Sequence, residues 1–433
     1  MSLTPQAEAA GRRKEEQDAQ QAIARLAARP DVRSAIAWLR AQEPQFALWQ
    51  MEIAKIPAPP FGEATRGAWL ADRFRDLGLD EVEIDEAGNV LGLRPGVSSH
   101  CITLSAHIDT VFPASTPLNI RQQGSRLYGP GVSDNGAGVT ALLAIAGALR
   151  SCKVEHSLPI LFIGNAGEEG EGNLRGMRHI FTESRYRNSI LSSIVLDGAG
   201  ADTIVAEALG SLRFEVIMRG PGGHSWSDFG APNPILALAH AIRSFAQTPV
   251  PTSPKTTFNV GVIRGGTSVN SIPESASIRV DIRSTSMSEM ERLEEALRQA
   301  IALAVQEESR ASNARMAGSR KSVSMAAAGT SGTAGLSSEI ISIGNRPAGE
   351  LNPKARILRI IHAVDAQLGN TAHVQRASTD ANIPLSMGRE AIAIGGGGSG
   401  GGAHTLQEWF DCNGRELGLK RILLATLALA GAE

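Results

Sequence analysis

The chain has 433 residues, 42% hydrophobic and 20% charged, with 42 Lys and Arg against 44 Asp and Glu for a formal charge of −2. At roughly 100–200 residues per domain, this length predicts two or three domains with cores of their own. The balanced charge argues against a nucleic-acid partner, which selects for a basic stripe, and no apolar run reaches the ~18–20 residues of a membrane span.

The N-terminus from Met1 to Gln20 is polar, without the apolar core of a secretory signal. Residues 5–48 read as helix, with Ile23, Leu26, Val32, Ile36 and Leu39 among charges and alanines, until Pro57, Pro59 and Pro60 break it. A second amphipathic helix is expected over 62–77, then a strand near Val82–Ile84 and a turn at 87–89. From residue 101 the texture changes. Apolar strands at 101–109, 158–166 and 193–198 alternate with helices at 136–150 and 173–181, which predicts βαβ units and a mainly parallel sheet with helices on both faces. Near 208 it changes again. Alternating strands at 212–219, 257–262 and 276–283, with helices at 233–247 and 288–309, predict a smaller α+β layer covered on one side. Residues 311–338, rich in Ser, Ala, Gly and Met, read as a loop before a strand at 339–343. The α/β pattern then resumes, with a helix at 353–369, a strand at 391–396 and a helix at 414–430. The fold class is therefore α/β with an inserted α+β module. The expected division is an N-terminal helical segment (1–48), an α/β domain (49–207 and 346–433) and the insert (208–345). Cys101, Cys152 and Cys412 lie far apart with no CxxC pair, which suits a reducing, cytoplasmic setting.

Acidic and histidine residues gather where strands end. His107 and Asp109 close the first buried strand, Glu168 and Glu169 follow the second, Asp197 ends the third, and His404 follows the strand at 391–396. Asp134 sits in a glycine-rich loop ahead of the helix at 136. In open α/β sheets the carboxyl ends of strands form the ligand crevice. Any one of these acids could simply cap a helix, and a lone histidine is more often structural; the set together points to chemistry. Converging carboxylates repel unless cations offset them, and His, Asp and Glu without Cys suit zinc, with cobalt or manganese as substitutes. His107 and Asp109, two apart on a strand, face one side, so Asp109 can orient the imidazole. Neighbouring Glu168 and Glu169 project differently, leaving one to bind metal and the other to act as general base. The remaining histidines (His100, His156, His179, His240, His362 and His373) lack such surroundings and read as structural.

The segments HIDTVFP (107–113), GPGVSDNGAG (129–138), NAGEEGEGNLRG (165–176) and VLDG (195–198) resemble the metal-site motifs of the di-zinc peptidases that include peptidase T, carboxypeptidase G and the aminoacylases. The likeness continues through GGHSWSDFG (222–230), GGTSVNSIPESASIRVDIRS (265–284), STDANIP (378–384) and GGGGSGGGAHTLQEW (395–409), covering residues from about 50 onward but not the first 45 or so. It implies a zinc-exopeptidase fold in which Asp134 bridges two Zn2+ ions, His107 and Asp197 complete one site, and Glu169 and His404 complete the other. Glu168 would be the general base and Asp109 the orienting acid. The insert would be a lid and dimerisation domain, giving a homodimer in which His224 reaches the partner's site to stabilise the oxyanion. Asn270 and Arg283 would hold the substrate's polar end, and the glycine run, at Gly400 and Gly401, would cradle its carboxylate. Aspartate at 197 and the STDANIP segment resemble the peptidase T side. The activity so implied is tripeptide aminopeptidase-like hydrolysis of small peptides; the alternative is an N-acyl-amino-acid amidohydrolase, dipeptidase or carboxypeptidase of the same fold.

Three competing readings are weaker. The GxGxxG at 395–400 lacks the βαβ unit and downstream acid of a dinucleotide site. The GxSxG around Ser399 has His404 and Asp411 too close and in the wrong order for a serine hydrolase. A non-enzymatic metal scaffold would have no use for the base assigned at Glu168.

Overall fold

The computed structural model describes residues 5–320 and 335–432. The chain divides into two compact units, one running to Ala208 and resuming at Gly349, the other Leu209–Ala348.

In the first unit, among the described residues, nine strands form one mixed sheet. Its centre is parallel: Cys101–His107 pairs in parallel with Ile160–Asn165 on one side and Ile190–Leu196 on the other, and Glu390–Ile394 pairs in parallel with Ile190–Leu196. Antiparallel strands occupy the margins, as at Asp80–Ile84 and Val90–Arg94. The central strands are buried on both faces, every residue of Cys101–His107 and Ile160–Asn165 included, which is what helices on both sides of a parallel sheet demand. Gly136–Ser151 is the most enclosed helix, buried from Gly136 through Leu149. Its small alanines let it lie close against the sheet.

The expected single helical stretch over 5–48 is corrected: it is three helices, Pro5–Ala28, Pro30–Ala41 and Glu43–Ala54. Pro30 and Pro44 stand in the first turns of the second and third, where the missing N–H costs nothing. Ile23, Leu26, Val32, Leu39 and Phe46 join the main core of the α/β unit. Packed against the first two of these helices, Arg415–Leu429 buries Arg421, whose guanidinium meets Asp365 at 2.7 and 2.9 Å.

The second unit is a four-stranded antiparallel sheet in the order Thr256–Gly265, Ser275–Ser284, Gly210–Arg219, Ser337–Arg346, packed against helices Pro234–Phe245 and Met287–Arg320. The reading of 311–338 as a loop is corrected over 311–320, where the second helix continues. Ser312 donates to Gly230 O at 2.6 Å and Arg315 pairs with Glu308, so the extra turns are tied down. Residues 321–334 lie outside the described residues, and 337–338 already belong to the last strand.

Candidate metal centre

Five side chains converge beyond the carboxyl ends of the central strands. His107 Nε2 lies 3.1 Å from Asp134 Oδ1 and 3.7 Å from Asp197 Oδ1. His404 Nε2 lies 3.0 Å from Asp134 Oδ2 and 2.9 Å from Glu169 Oε1. Asp134 thus stands between two imidazoles, one oxygen turned to each. His107, Asp134 and Glu169 offer ligand atoms close enough for one ion.

Local structure holds each of them. His107 is the last residue of a buried strand, and its Nδ1 faces Asp109, 3.2 Å from the carbonyl and 3.6 Å from Oδ1. The Asp109 carboxylate accepts the backbone N–H groups of Glu168 at 3.0 Å and Glu169 at 2.8 Å. Its position therefore fixes the Glu168–Glu169 turn as well as the imidazole. Beneath, buried Arg66 donates to Ile108 O at 2.9 Å and to Ile56 O at 3.0 Å. Asn135 caps the helix Gly136–Ser151 through Gly138 N at 3.1 Å, accepts Gly198 N at 3.0 Å and donates to Leu196 O at 2.9 Å. It thereby ties the Asp134 loop to the strand end that carries Asp197.

The electrostatics ask for positive charge. If Nδ1 of His107 donates to Asp109, its Nε2 lone pair faces a carboxylate oxygen, two acceptors in contact. Asp134 Oδ1 is buried and accepts no hydrogen bond. Burial works against a charged His107, yet Asp109, Asp134 and Asp197 together raise its pKa well above the usual imidazole value. Hydrogen bonding to Asp134 lifts His404 to about 9. Burial opposes ionisation of Asp134, but the two imidazoles hold it below the ordinary carboxylate range. For both histidines a retained proton supplies the positive charge that a cation would otherwise bring to Asp134. Oxygen and imidazole donors around an orphaned carboxylate oxygen fit a divalent ion.

Beside these residues lies a cleft of about 600 Å³ lined by Asp134, Asp197, Asp202, Asn370, Gly400 and Gly401, with small residues at 198–201. The expectation of freely accessible amides along the glycine run is modified, since Ser399–Gly401 pairs as a short strand with Trp409–Asp411. A Cβ at Gly400 would stand 2.3 Å from Ser133 Oγ, so glycine is needed there for close packing as well as for access.

The residues expected of a lid lie in the second unit. His224 is exposed in the two-residue strand Gly223–His224, paired with Ser271–Ile272. Its backbone N–H donates to Asp228 at 2.7 Å, and Asn270 O accepts Ser225 N at 2.9 Å, so His224 and Asn270 are neighbours. Arg283 is not with them. It pairs with Asp281 at 2.7 Å near the far end of Ser275–Ser284, eight residues or roughly 26 Å along the strand from Ser275.

Two buried acids were not singled out from the sequence. Asp380, within STDANIP, accepts Asn165 Nδ2 at 2.6 Å, and burial lifts its pKa to about 7. Glu408, four residues after His404, accepts the backbone N–H groups of Gly131, Ser133 and Asp134 at 2.7–2.8 Å. Burial lifts its pKa, against those three bonds, to about 7. Both lie inside quoted motifs; only their burial marks them out, and a sequence does not display burial.

Residues 89–208 match the model of peptidase family M28, and residues 207–308 match that of a peptidase dimerisation domain. Among curated relatives, a probable carboxypeptidase of Ajellomyces dermatitidis is 31% identical over 223 residues, 47% of this chain and 50% of that protein. The chain spans about half the length of the curated relatives it matches. Among solved structures, aminopeptidase PepT of Bacillus cereus superposes with a TM-score of 0.68 at 20% identity, covering 90% of this chain and 99% of that one. A dinuclear metal-binding peptidase of the M20 family from Bacillus subtilis gives 0.61 at 13%, covering 91% and 100%. At such identities the likeness shows the fold, a mixed α/β unit with an inserted dimerisation domain. The two family models support a hydrolase of peptide or amide bonds, and the clustered His107, Asp134 and Glu169 support a metal site. Among the described residues, no helix is long and apolar enough to cross a membrane.

Proposed function

We propose that the chain is a metal-dependent exopeptidase that hydrolyses small peptides in the manner of a tripeptide aminopeptidase. The observation that carries this reading is Asp134 set between His107 and His404, at 3.1 and 3.0 Å, with Glu169 and Asp197 alongside. His107, Asp134 and Asp197 would hold one ion and Asp134, Glu169 and His404 the other. The ions are taken as Zn2+, with Co2+ or Mn2+ able to substitute. Bound there, two divalent ions supply Lewis acidity and make water nucleophilic at neutral pH.

The chain's own groups would do the rest. Glu168, buried on the turn fixed by Asp109, takes the proton of the attacking water and passes it to the leaving amine. Asp109 keeps the His107 tautomer that leaves Nε2 available. Gly400 and Gly401 border the cleft where the substrate would lie.

We assign the second unit to lid and dimer contacts. The separation of His224 and Asn270 from Arg283 supports sites shared between two copies, because one small peptide cannot reach both ends of a strand in the same unit. His224 of one copy would steady the oxyanion, and Arg283 and Asn270 the substrate's polar end. A cytoplasmic enzyme is the reading that three free cysteines favour.

The deciding experiment is turnover of free tripeptides, dipeptides and N-acetylated amino acids by the apo-protein reconstituted with zinc, cobalt or manganese. Metal-dependent cleavage of free tripeptides is expected. Cleavage confined to acetylated substrates would replace the aminopeptidase reading with the amidohydrolase one, and turnover unaffected by chelation would end both.

A further inference from the structure

One buried carboxylate beside the site has no part in the chemistry above. Glu408 is fully buried. Its Oε1 accepts the backbone N–H groups of Ser133 and Asp134, each at 2.7 Å, and its Oε2 accepts that of Gly131 at 2.8 Å. These amides all belong to the loop that presents Asp134. The main chain of Glu408 is anchored too: its N–H donates to Thr405 O at 3.2 Å and its carbonyl accepts Gly129 N at 2.9 Å. Thr405 N in turn donates to Gly402 O at 3.0 Å, closing the turn in which His404 sits at φ 64°. A single residue therefore joins the loop bearing Asp134 to the turn bearing His404.

The chemistry suits a carboxylate and little else. Three N–H donors pointing into one buried pocket need an acceptor with two oxygens and no hydrogen of its own, and an ionised carboxylate is that group. Its bonds to amide donors are stronger than those of a neutral acceptor. An apolar side chain could fill the space, but it would leave three buried N–H groups unpaired.

From this geometry we infer that Glu408 is the positioning residue of the metal subsite that uses His404. It holds Asp134 Oδ2 and His404 Nε2 at 3.0 Å, a spacing at which one cation can draw on both. Glu408 touches neither substrate nor reacting atoms in this arrangement. The inference rests on the metal-site reading proposed above, and the test separates the two.

Metal-free protein is titrated with Co2+ and followed by visible absorption and calorimetry, for the wild type, His404→Ala, Glu408→Gln and Glu408→Ala. His404→Ala identifies which bound equivalent depends on that side chain. Glu408→Ala is expected to weaken that equivalent about 10–100-fold while the other stays within about 3-fold of wild type. Glu408→Gln keeps one acceptor oxygen for Ser133 and Asp134 and loses the Gly131 bond, so it should fall between. Far-UV circular dichroism of both variants is expected to match wild type. Unchanged binding in both variants, equal loss of both equivalents, or loss of the fold in both would each overturn the assignment. Should Glu408→Ala alone unfold, Glu408→Gln decides. A wild type that takes up no Co2+ would instead refute the metal-site reading itself.

Discussion

The strand Cys101–His107 is buried along its whole length, whereas Ser275–Ser284 alternates between buried and half-exposed positions. In the first unit the strands Cys101–His107, Ile160–Asn165 and Ile190–Leu196 carry no charged side chain before their carboxyl ends, and there Asp109, Asn135 and Glu408 hold the surrounding loops through buried hydrogen bonds. In the second unit His224 and Asn270 are exposed, steadied by bonds within their own loop. Where both faces of a sheet are covered, a cluster of charges can be set rigidly before any ligand arrives. A one-faced sheet offers surface, and its polar residues acquire a task when something covers them.

If the first unit is the pre-set one, the largest effect should come from emptying it. Chelation, or Asp134→Asn, is expected to abolish hydrolysis, with zinc restoring activity to the chelated wild type and not to the variant. Elemental analysis alongside turnover checks this. Next comes Glu168→Gln, expected to lower kcat about 10²–10⁴-fold while metal content and circular dichroism stay unchanged. Turnover near wild type would remove Glu168 from its role.

The second unit predicts smaller losses that mixing can repair. His224→Ala should cost about 10²–10³-fold in kcat if it supports the oxyanion, and Arg283→Ala should chiefly raise KM. Mixed and assayed well below KM, where both variants are impaired, they should recover part of the activity, since a hybrid dimer would contain one intact site. No recovery after subunit exchange would place both residues in one copy's site and contradict the separation along Ser275–Ser284.

The smallest effect is one of pH. In metal-free protein His404 is raised to about 9 by Asp134, so its proton stabilises the fold fully below the ordinary imidazole value, about 6.5, and that contribution fades as pH rises through 9. Asp380 and Glu408, raised to about 7 by burial, cost stability increasingly as pH climbs from the ordinary carboxylate range to 7. All these signs agree: the metal-free protein should become less stable between pH 6 and 9. Metal binding requires deprotonated histidine, so the stabilisation added by zinc should grow over the same range. Thermal unfolding with and without zinc checks this, and an increment that shrinks with pH would contradict it.

Much of the first unit could be read along the chain. Largely apolar, charge-poor runs at 101–107 and 160–165 announce strands buried on both faces, and acids just past their ends announce a crevice. Short strands without such runs escaped notice, among them Thr203–Ala208 and His373–Ala377, which occupy one side of the sheet. The helix Met287–Arg320 ran past its expected end because contacts from Ser312 and Arg315, remote from any local pattern, outweigh a serine-rich composition.

What the sequence determined by itself was the order of elements, the two textures, and the residue types gathered at strand ends, because periodicity and short-range spacing are local properties. Which acids would be enclosed was decided only in three dimensions. Glu408 and Asp380 resemble many surface carboxylates on paper. They become buried hydrogen-bond acceptors because chain segments more than two hundred residues away deliver Gly131, Ser133, Asp134 and Asn165 to them, and desolvation depends on all neighbours at once.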